Sequence, residues 1–182
     1  LYTKLPYDPV RDFAPVINMV AVPSVLVANP SLPAGSLQEL IALAKRKPGE
    51  ITYGTFGPGS KTHIDTEGFS ALAGVRFNHV PYKGIAEVVP AVIAGQIDFA
   101  LSGVSPVLPH IRSGRLKALA MAGLQRSPVL PDVPTFAEAG IPGFESRSWF
   151  GLVVAVATPR PLIDRIASDV SRILALNEFR EK

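Results

Sequence analysis

Within six positions this chain carries Gly54, Gly57, Pro58 and Gly59, set between an apolar run and a helical pattern. A stretch so poor in side chains cannot fill a core and is costly inside a helix or strand, so it has to be a turn. Its flanks say which kind. Ile51, Thr52 and Tyr53 read as the end of a buried strand. Ser60 or Thr62 can cap a helix, and Ile64, Gly68, Ala71 and Leu72 fall at helical spacing up to a stop at Gly74. A glycine-rich strand-to-helix turn presents backbone N–H groups beside the positive end of a helix dipole, which suits a carboxylate or phosphate. The first expectation is a small anion held at Gly54–His63.

Two enzymatic alternatives use the same loop. Gly54-x-x-x-x-Gly59-Ser60-Lys61-Thr62 is one residue longer than a nucleotide phosphate loop, and Ser60 shifts the lysine off the position that reaches a phosphate. Ser60 and His63 are the material for a serine hydrolase, but no carboxylate stands where it would orient the histidine. A phosphate-binding enzyme or a serine hydrolase is therefore the alternative to a binding protein.

The rest of the chain alternates apolar runs with helical patterns. Val16–Val22 and Val25–Asn29 read as two strands bent apart at Pro23. Ser36-Leu-Gln-Glu39 is a capping box opening a helix to about Lys47, with Leu37, Leu40, Ile41 and Ala44 on its inner face. Val75–Val80 reads as a strand, and Ile85, Val88, Val89 and Val92 as a helix face that Pro90 bends or delays. Gln96–Leu101 is a strand with Asp98 inside it, delivering Ser102 and Gly103 to a loop before a Pro-broken helix at Val104–Ile111. Leu116–Ala122 is a further strand, and Thr135-Phe-Ala-Glu138 a second capping box. Trp149–Val156 is an apolar strand, followed by a helix capped at Thr158-Pro159 with a face of Leu162, Ile166, Val170, Ile173 and Leu174. This order predicts an α/β fold whose parallel sheet is covered on both faces.

In such sheets ligands sit outside the carboxyl ends of the strands. The expected ligand-binding residues are Gly54, Thr55, Gly59, Ser60, Thr62, His63, Tyr82, Gly84 and Ser102, a set of neutral donors around a small polar anion. Lys61 is expected to face solvent. Composition narrows the classes further. The net charge of +3 is mild and its basic residues are scattered without aromatic interleaving, which excludes a nucleic-acid surface. Zero cysteine removes disulfides, thiolate metal sites and cysteine nucleophiles, and the three histidines lack metal-ligand spacing. No catalytic residue, metal or cofactor is expected, nor any direct membrane insertion.

An ordered set of motifs carries a family resemblance: Tyr7-Asp-Pro-Val-Arg-Asp-Phe13, Val25-Leu-Val-Ala-Asn-Pro30, Tyr53 through His63, His79-Val-Pro-Tyr-Lys-Gly84, Gly95-Gln-Ile-Asp98, Leu108-Pro-His-Ile111 with Gly114, Arg126 through Thr135, and Ser148-Trp-Phe-Gly151. The whole chain resembles the tripartite tricarboxylate transporter receptor family, the Bug or TctC-like periplasmic solute-binding proteins. The resemblance implies a two-lobed periplasmic-binding-protein type II fold that closes on a small carboxylated solute. Residues 24–144 would be an essentially complete second lobe, and 1–23 with 145–182 parts of the first. An N-terminal portion and a C-terminal helical stretch would lie outside this chain. The implied setting is periplasmic, and the implied partners are a small carboxylate ligand and membrane transporter subunits or a sensor partner. Ser102 falls where relatives often carry Asp, and it cannot pair with a ligand ammonium.

Overall fold

A computed structural model describes residues 5–176. The described chain forms two compact units, one taking it up to Ala21 and again from Ser148, the other Val22–Arg147. The expectations at residues 1–4 and 177–182 lie outside the described residues.

Val22–Arg147 is built on a sheet. Strands β2 (Thr52–Thr55), β3 (Asn78–Pro81) and β4 (Phe99–Gly103) run parallel, β2 in the middle. The second half of β1 (Phe13–Ala28) lies antiparallel between β4 and β5 (Lys117–Met121). The sheet is therefore mixed, not purely parallel: β2, β3 and β4 follow one another through helical crossovers, whereas β1 enters from outside that run. Alternation along β1 decides how the sheet is covered. Leu26 and Ala28 face one core, with Leu37, Leu40 and Ala44 of α1 (Leu37–Arg46) and Phe69 of α2 (Lys61–Ala73). Val25 and Val27 face the other, with Val88 and Val92 of α3 (Ile85–Ile93) and Val107 of α4 (Val104–Arg112). Each of the Val, Leu and Phe side chains among them, taken fully out of water, stabilises the fold by about 1.5–3 kcal/mol.

Several elements differ from the sequence reading. The two strands expected on either side of Pro23 are parts of one, β1, which runs through it. The pairing of β1 with β4 begins at Ser24 and with β5 at Val25, so Pro23 lies outside both ladders and its missing N–H interrupts neither. Helix α2 buries Thr62, Thr66, Phe69, Ser70 and Ala73, while Ile64 and Leu72 are exposed. The inner face is thus rich in hydroxyls. It is tolerated because Thr66 Oγ1 donates to the Thr62 carbonyl at 2.7 Å and Ser70 Oγ to the Thr66 carbonyl at 2.8 Å, so no buried hydroxyl is orphaned. Strand β3 is shorter than Val75–Val80 and ends at Pro81. Pro90 does not delay α3; the helix starts at Ile85 and runs past it.

Asp98 precedes β4 and is not inside it. Its carboxylate accepts from the Thr52 amide and hydroxyl, both at 2.7 Å, tying the starts of β4 and β2 together. Ser102 and Gly103 belong to β4, and Gly103 is itself the N-cap of α4, so no loop separates strand from helix there. The Ser36 cap forms as expected, its hydroxyl accepting from Glu39 N–H. The Thr135–Glu138 box also closes, Thr135 N–H donating to Glu138 Oε2 at 2.7 Å and Glu138 N–H to Thr135 Oγ1 at 3.1 Å, but only a turn follows. Gly140, at φ +86°, stops the chain before a helix can propagate.

The other unit contains the first half of β1 paired with β6 (Arg147–Ala155), and α5 (Arg160–Leu174). Pro159 is the N-cap of α5, not its first residue, and no side chain caps it. Ile163 is the buried residue of that helix; Leu162 and Ile173, expected inside, are exposed, as are Trp149 and Phe150 on β6. Among the described residues no helix is long and apolar enough to cross a membrane.

Candidate functional site

The parallel register places the carboxyl ends of β2, β3 and β4 side by side: Thr55 is opposite Pro81, and Gly54 opposite Ala100. What leaves those ends is the Gly57–Gly59 loop into α2, the Tyr82–Gly84 turn into α3, and the direct entry into α4. Tyr82 N–H donates to the Thr55 carbonyl at 3.0 Å, so the first two segments lie against each other. Gly57 and Gly59 have φ of +105° and +75°, the region that side chains disfavour, so the loop needs glycine at both positions.

The loop uses most of its own donors. Phe56 N–H goes to Thr62 Oγ1 (3.2 Å), Gly57 N–H to Thr55 Oγ1 (3.2 Å), Gly59 N–H to His63 Nδ1 (3.0 Å), and Ser60 N–H to the Gly57 carbonyl (3.1 Å). Ser60 is the N-cap of α2 and its hydroxyl accepts from His63 N–H at 3.4 Å. That leaves the amides of Lys61 and Thr62, the first two of the helix, which have no acceptor within it. The donors this loop leaves without an acceptor are those two amides, not the glycine N–H groups that the sequence suggests.

Beneath the loop the expected residues divide by role. Gly54 lies inside β2, where a Cβ would come within 2.4 Å of Ile97 Cδ1 and 3.2 Å of Val88 Cγ1; its smallness serves strand packing. Thr55 is fully buried, with its hydroxyl 2.6 Å from His79 Nε2. Ser102 is also buried and its hydroxyl donates to the Gly103 carbonyl at 3.0 Å. The Tyr82 ring packs partly buried on the second core, and Gly84 caps α3 with an extended backbone that any residue can adopt. Around the loop mouth stand Gly59, Ser60, Thr62 and His63.

Side chains outside the expected ligand-binding set complete the neighbourhood. His79 stacks on His63 with ring centres 4.1 Å apart and planes 11° from parallel, and on its other side meets Tyr53 at 5.1 Å. Burial, then the neighbouring His63, lowers the His79 pKa below the ordinary imidazole value, and Glu67 opposes them in part. Tyr53 donates to Glu67; burial first, then that hydrogen bond and the Glu67 charge, push its phenol above the ordinary range. Lys61 does not simply face solvent. Its ammonium pairs with Asp65 and donates to Ser146 Oγ at 2.6 Å; the Ser146 hydroxyl donates in turn to Asp65 and lies 3.0 Å from the Ser24 hydroxyl. The register of His79 beside Tyr53 was readable once β2 and β3 were paired; Ser146, 85 residues from Lys61, carried no such signal.

A hydrolase site is not assembled here. The Ser60 hydroxyl caps the helix and contacts Thr62 Oγ1, while His63 turns Nδ1 to Gly59 and its face to His79. No group of three or more His, Cys, Asp or Glu among the described residues could hold a metal ion.

Comparison with known proteins places this geometry. Residues 1–182 match the family described as tripartite tricarboxylate transporter family receptor. The protein BugT of Bordetella pertussis is 39% identical over 163 residues, 90% of this chain and 50% of BugT. An R. palustris protein solved with adipate is 34% identical and superposes with a TM-score of 0.89, covering 98% of this chain and 60% of that one. MatC from Rhodopseudomonas palustris, solved with bound malate, is 32% identical with a TM-score of 0.87, covering 99% of this chain and 61% of MatC. The chain spans about half the length of the curated relatives it matches, 54% and 50% of the first two. A match that runs the full length of the sequence, joined to this agreement of fold, settles the family: the chain belongs to the tripartite tricarboxylate transporter receptors.

Proposed function

We propose that this chain is part of a periplasmic solute-binding receptor that captures a small mono- or dicarboxylate for a tripartite tricarboxylate-type transporter or for a sensor partner. Residues 24–144 are one lobe of it, and 1–23 with 145–182 parts of the other. The observation that carries the reading is the α2 start, where Lys61 and Thr62 offer two amides without helical acceptors beside a loop rigidified by its own hydrogen bonds. Two amides on a positive dipole end match the two oxygens of a carboxylate. Structural relatives solved with adipate and with malate support that ligand class.

Ser102 refines it. Where a carboxylate could pair with a ligand amine, this chain has a hydroxyl that donates to its own neighbour's carbonyl. An ammonium left unpaired in a desolvated site costs about 1–3 kcal/mol, roughly tenfold or more in affinity. Calorimetric titration with succinate and with its 2-amino analogue aspartate tests this. Succinate should bind more tightly; tighter binding of aspartate would contradict the assignment, and turnover of simple esters abolished by Ser60→Ala would favour the hydrolase instead.

A further inference from the structure

We propose that His63 is a pH-dependent positioning residue: in its neutral form it holds the Gly57–Ser60 loop in shape through Gly59, and on protonation it releases that loop. The contact is direct, since Gly59 N–H donates to His63 Nδ1 at 3.0 Å. That bond requires a lone pair on Nδ1, so the ring proton sits on Nε2. Gly59 is also the loop residue at φ +75°, held there by its partners and not by a side chain.

The second ring makes the arrangement sensitive to a single proton. His79 lies 4.1 Å from His63 and, through Thr55 Oγ1, fixes the other left-handed glycine, Gly57. Two imidazolium rings at that separation repel, so a charge on one ring disfavours a charge on the other. Burial already disfavours the charged form of His79. The groups facing the pair are Tyr53 of β2, behind His79, and Glu67 of α2, which holds the Tyr53 hydroxyl. Lys61 and Asp65, also on α2, are occupied with each other and with Ser146. A proton entering at His63 Nδ1 puts one donor against another at Gly59, and the hydrogen bond is lost. The consequence for binding rests on the proposed function: the amides of Lys61 and Thr62 follow the released loop, and solute affinity falls with it.

The test follows the Gly59 amide and the His63 ring by NMR across about pH 8 to 5, the range in which histidine ordinarily titrates. The Gly59 amide should shift with the same midpoint as the His63 ring, and its exchange protection, corrected for intrinsic rate, should fall about tenfold, as for one lost hydrogen bond. His63→Asn puts a non-titrating acceptor near the Nδ1 position, and its Gly59 amide should stay flat. In parallel, malate affinity should fall about tenfold on the acid side in the unmodified protein but not in His63→Asn, which shares any change in malate's own charge. A Gly59 amide that stays fixed while His63 titrates, a His63 ring that never titrates in this range, or an unchanged Gly59 transition in His63→Asn overturns the proposal. Should His63→Asn fail to fold, the coincidence of midpoints in the unmodified protein decides. Absence of malate binding at every pH would contradict the solute-binding reading, while the coupling of Gly59 to His63 would still be judged by its own resonance.

Discussion

Gly54 and Gly59 look alike in the sequence and differ in what they do. Gly54 is small because Ile97 and Val88 leave no room above β2, whereas Gly59 is free of a side chain because its backbone is left-handed. Gly54→Ala should therefore cost about 1–3 kcal/mol of stability by overpacking, read as a lower denaturation midpoint in urea with an unchanged slope. Gly59→Pro should act on binding. Proline removes the N–H that His63 holds and cannot adopt φ +75°, so malate affinity should fall further in Gly59→Pro than in Lys61→Ala, compared by calorimetry. Lys61→Ala leaves both helix-start amides in place, although it frees Asp65 and Ser146. Equal losses in the two variants would place the ammonium, not the backbone, at the ligand.

Helix α2 shows where periodicity misleads. A hydroxyl cap at Ser60 or Thr62 and a stop at Gly74 follow from local chemistry, and the structure has the cap at Ser60 and the stop at Gly74. The helix's inner face does not. Ile64 and Leu72 suggest a stripe, but the buried positions are Thr62, Thr66, Phe69, Ser70 and Ala73, because hydroxyls that return to the preceding turn's carbonyl are satisfied there and so can be buried. Hydropathy counts such a threonine as polar; the fold uses it as apolar. The same limit applies to Pro23 and to the turn after Thr135: side-chain chemistry was legible at both, while the ladder positions and the length of the following element depend on distant partners. At the site, the glycine loop and the nearness of three strands were legible in the sequence; the end of β4, which runs through Ser102 and Gly103 straight into α4, and the occupancy of the glycine amides were not, because His63 and Thr55 reach those amides only in the folded register. Thr66→Val keeps the shape and removes the hydroxyl, so it should destabilise by about 0.5–1.5 kcal/mol in urea unfolding. Ile64→Gln, on the exposed face, should stay within about 0.5 kcal/mol of the unmodified protein. The reverse ranking would restore the apolar stripe as the packed face.

At the scale of the whole molecule, the alternation of apolar runs and helical patterns sufficed to identify an α/β sheet covered on both faces, but not the antiparallel insertion of β1 between β4 and β5. The pH dependence of stability belongs to this scale. Because the fold lowers the His79 pKa, the unfolded chain takes up more protons than the native one as pH falls through the ordinary imidazole range. The stability that neutral His79 allows is present above that range and lost below it, so the melting temperature should drop between about pH 7 and 5 and drop less in His79→Gln. A flat profile would mean the native state accommodates the charge. The central claim, that the start of α2 receives a solute carboxylate, is tested most directly by titrating malate into isotope-labelled protein and following every backbone amide. The largest saturable shifts should fall on Lys61 and Thr62, with the loop residues Phe56–Ser60 next and the outer end of α1 at Lys45 and Arg46 unmoved; saturable shifts centred elsewhere, with Lys61 and Thr62 silent, would contradict the account.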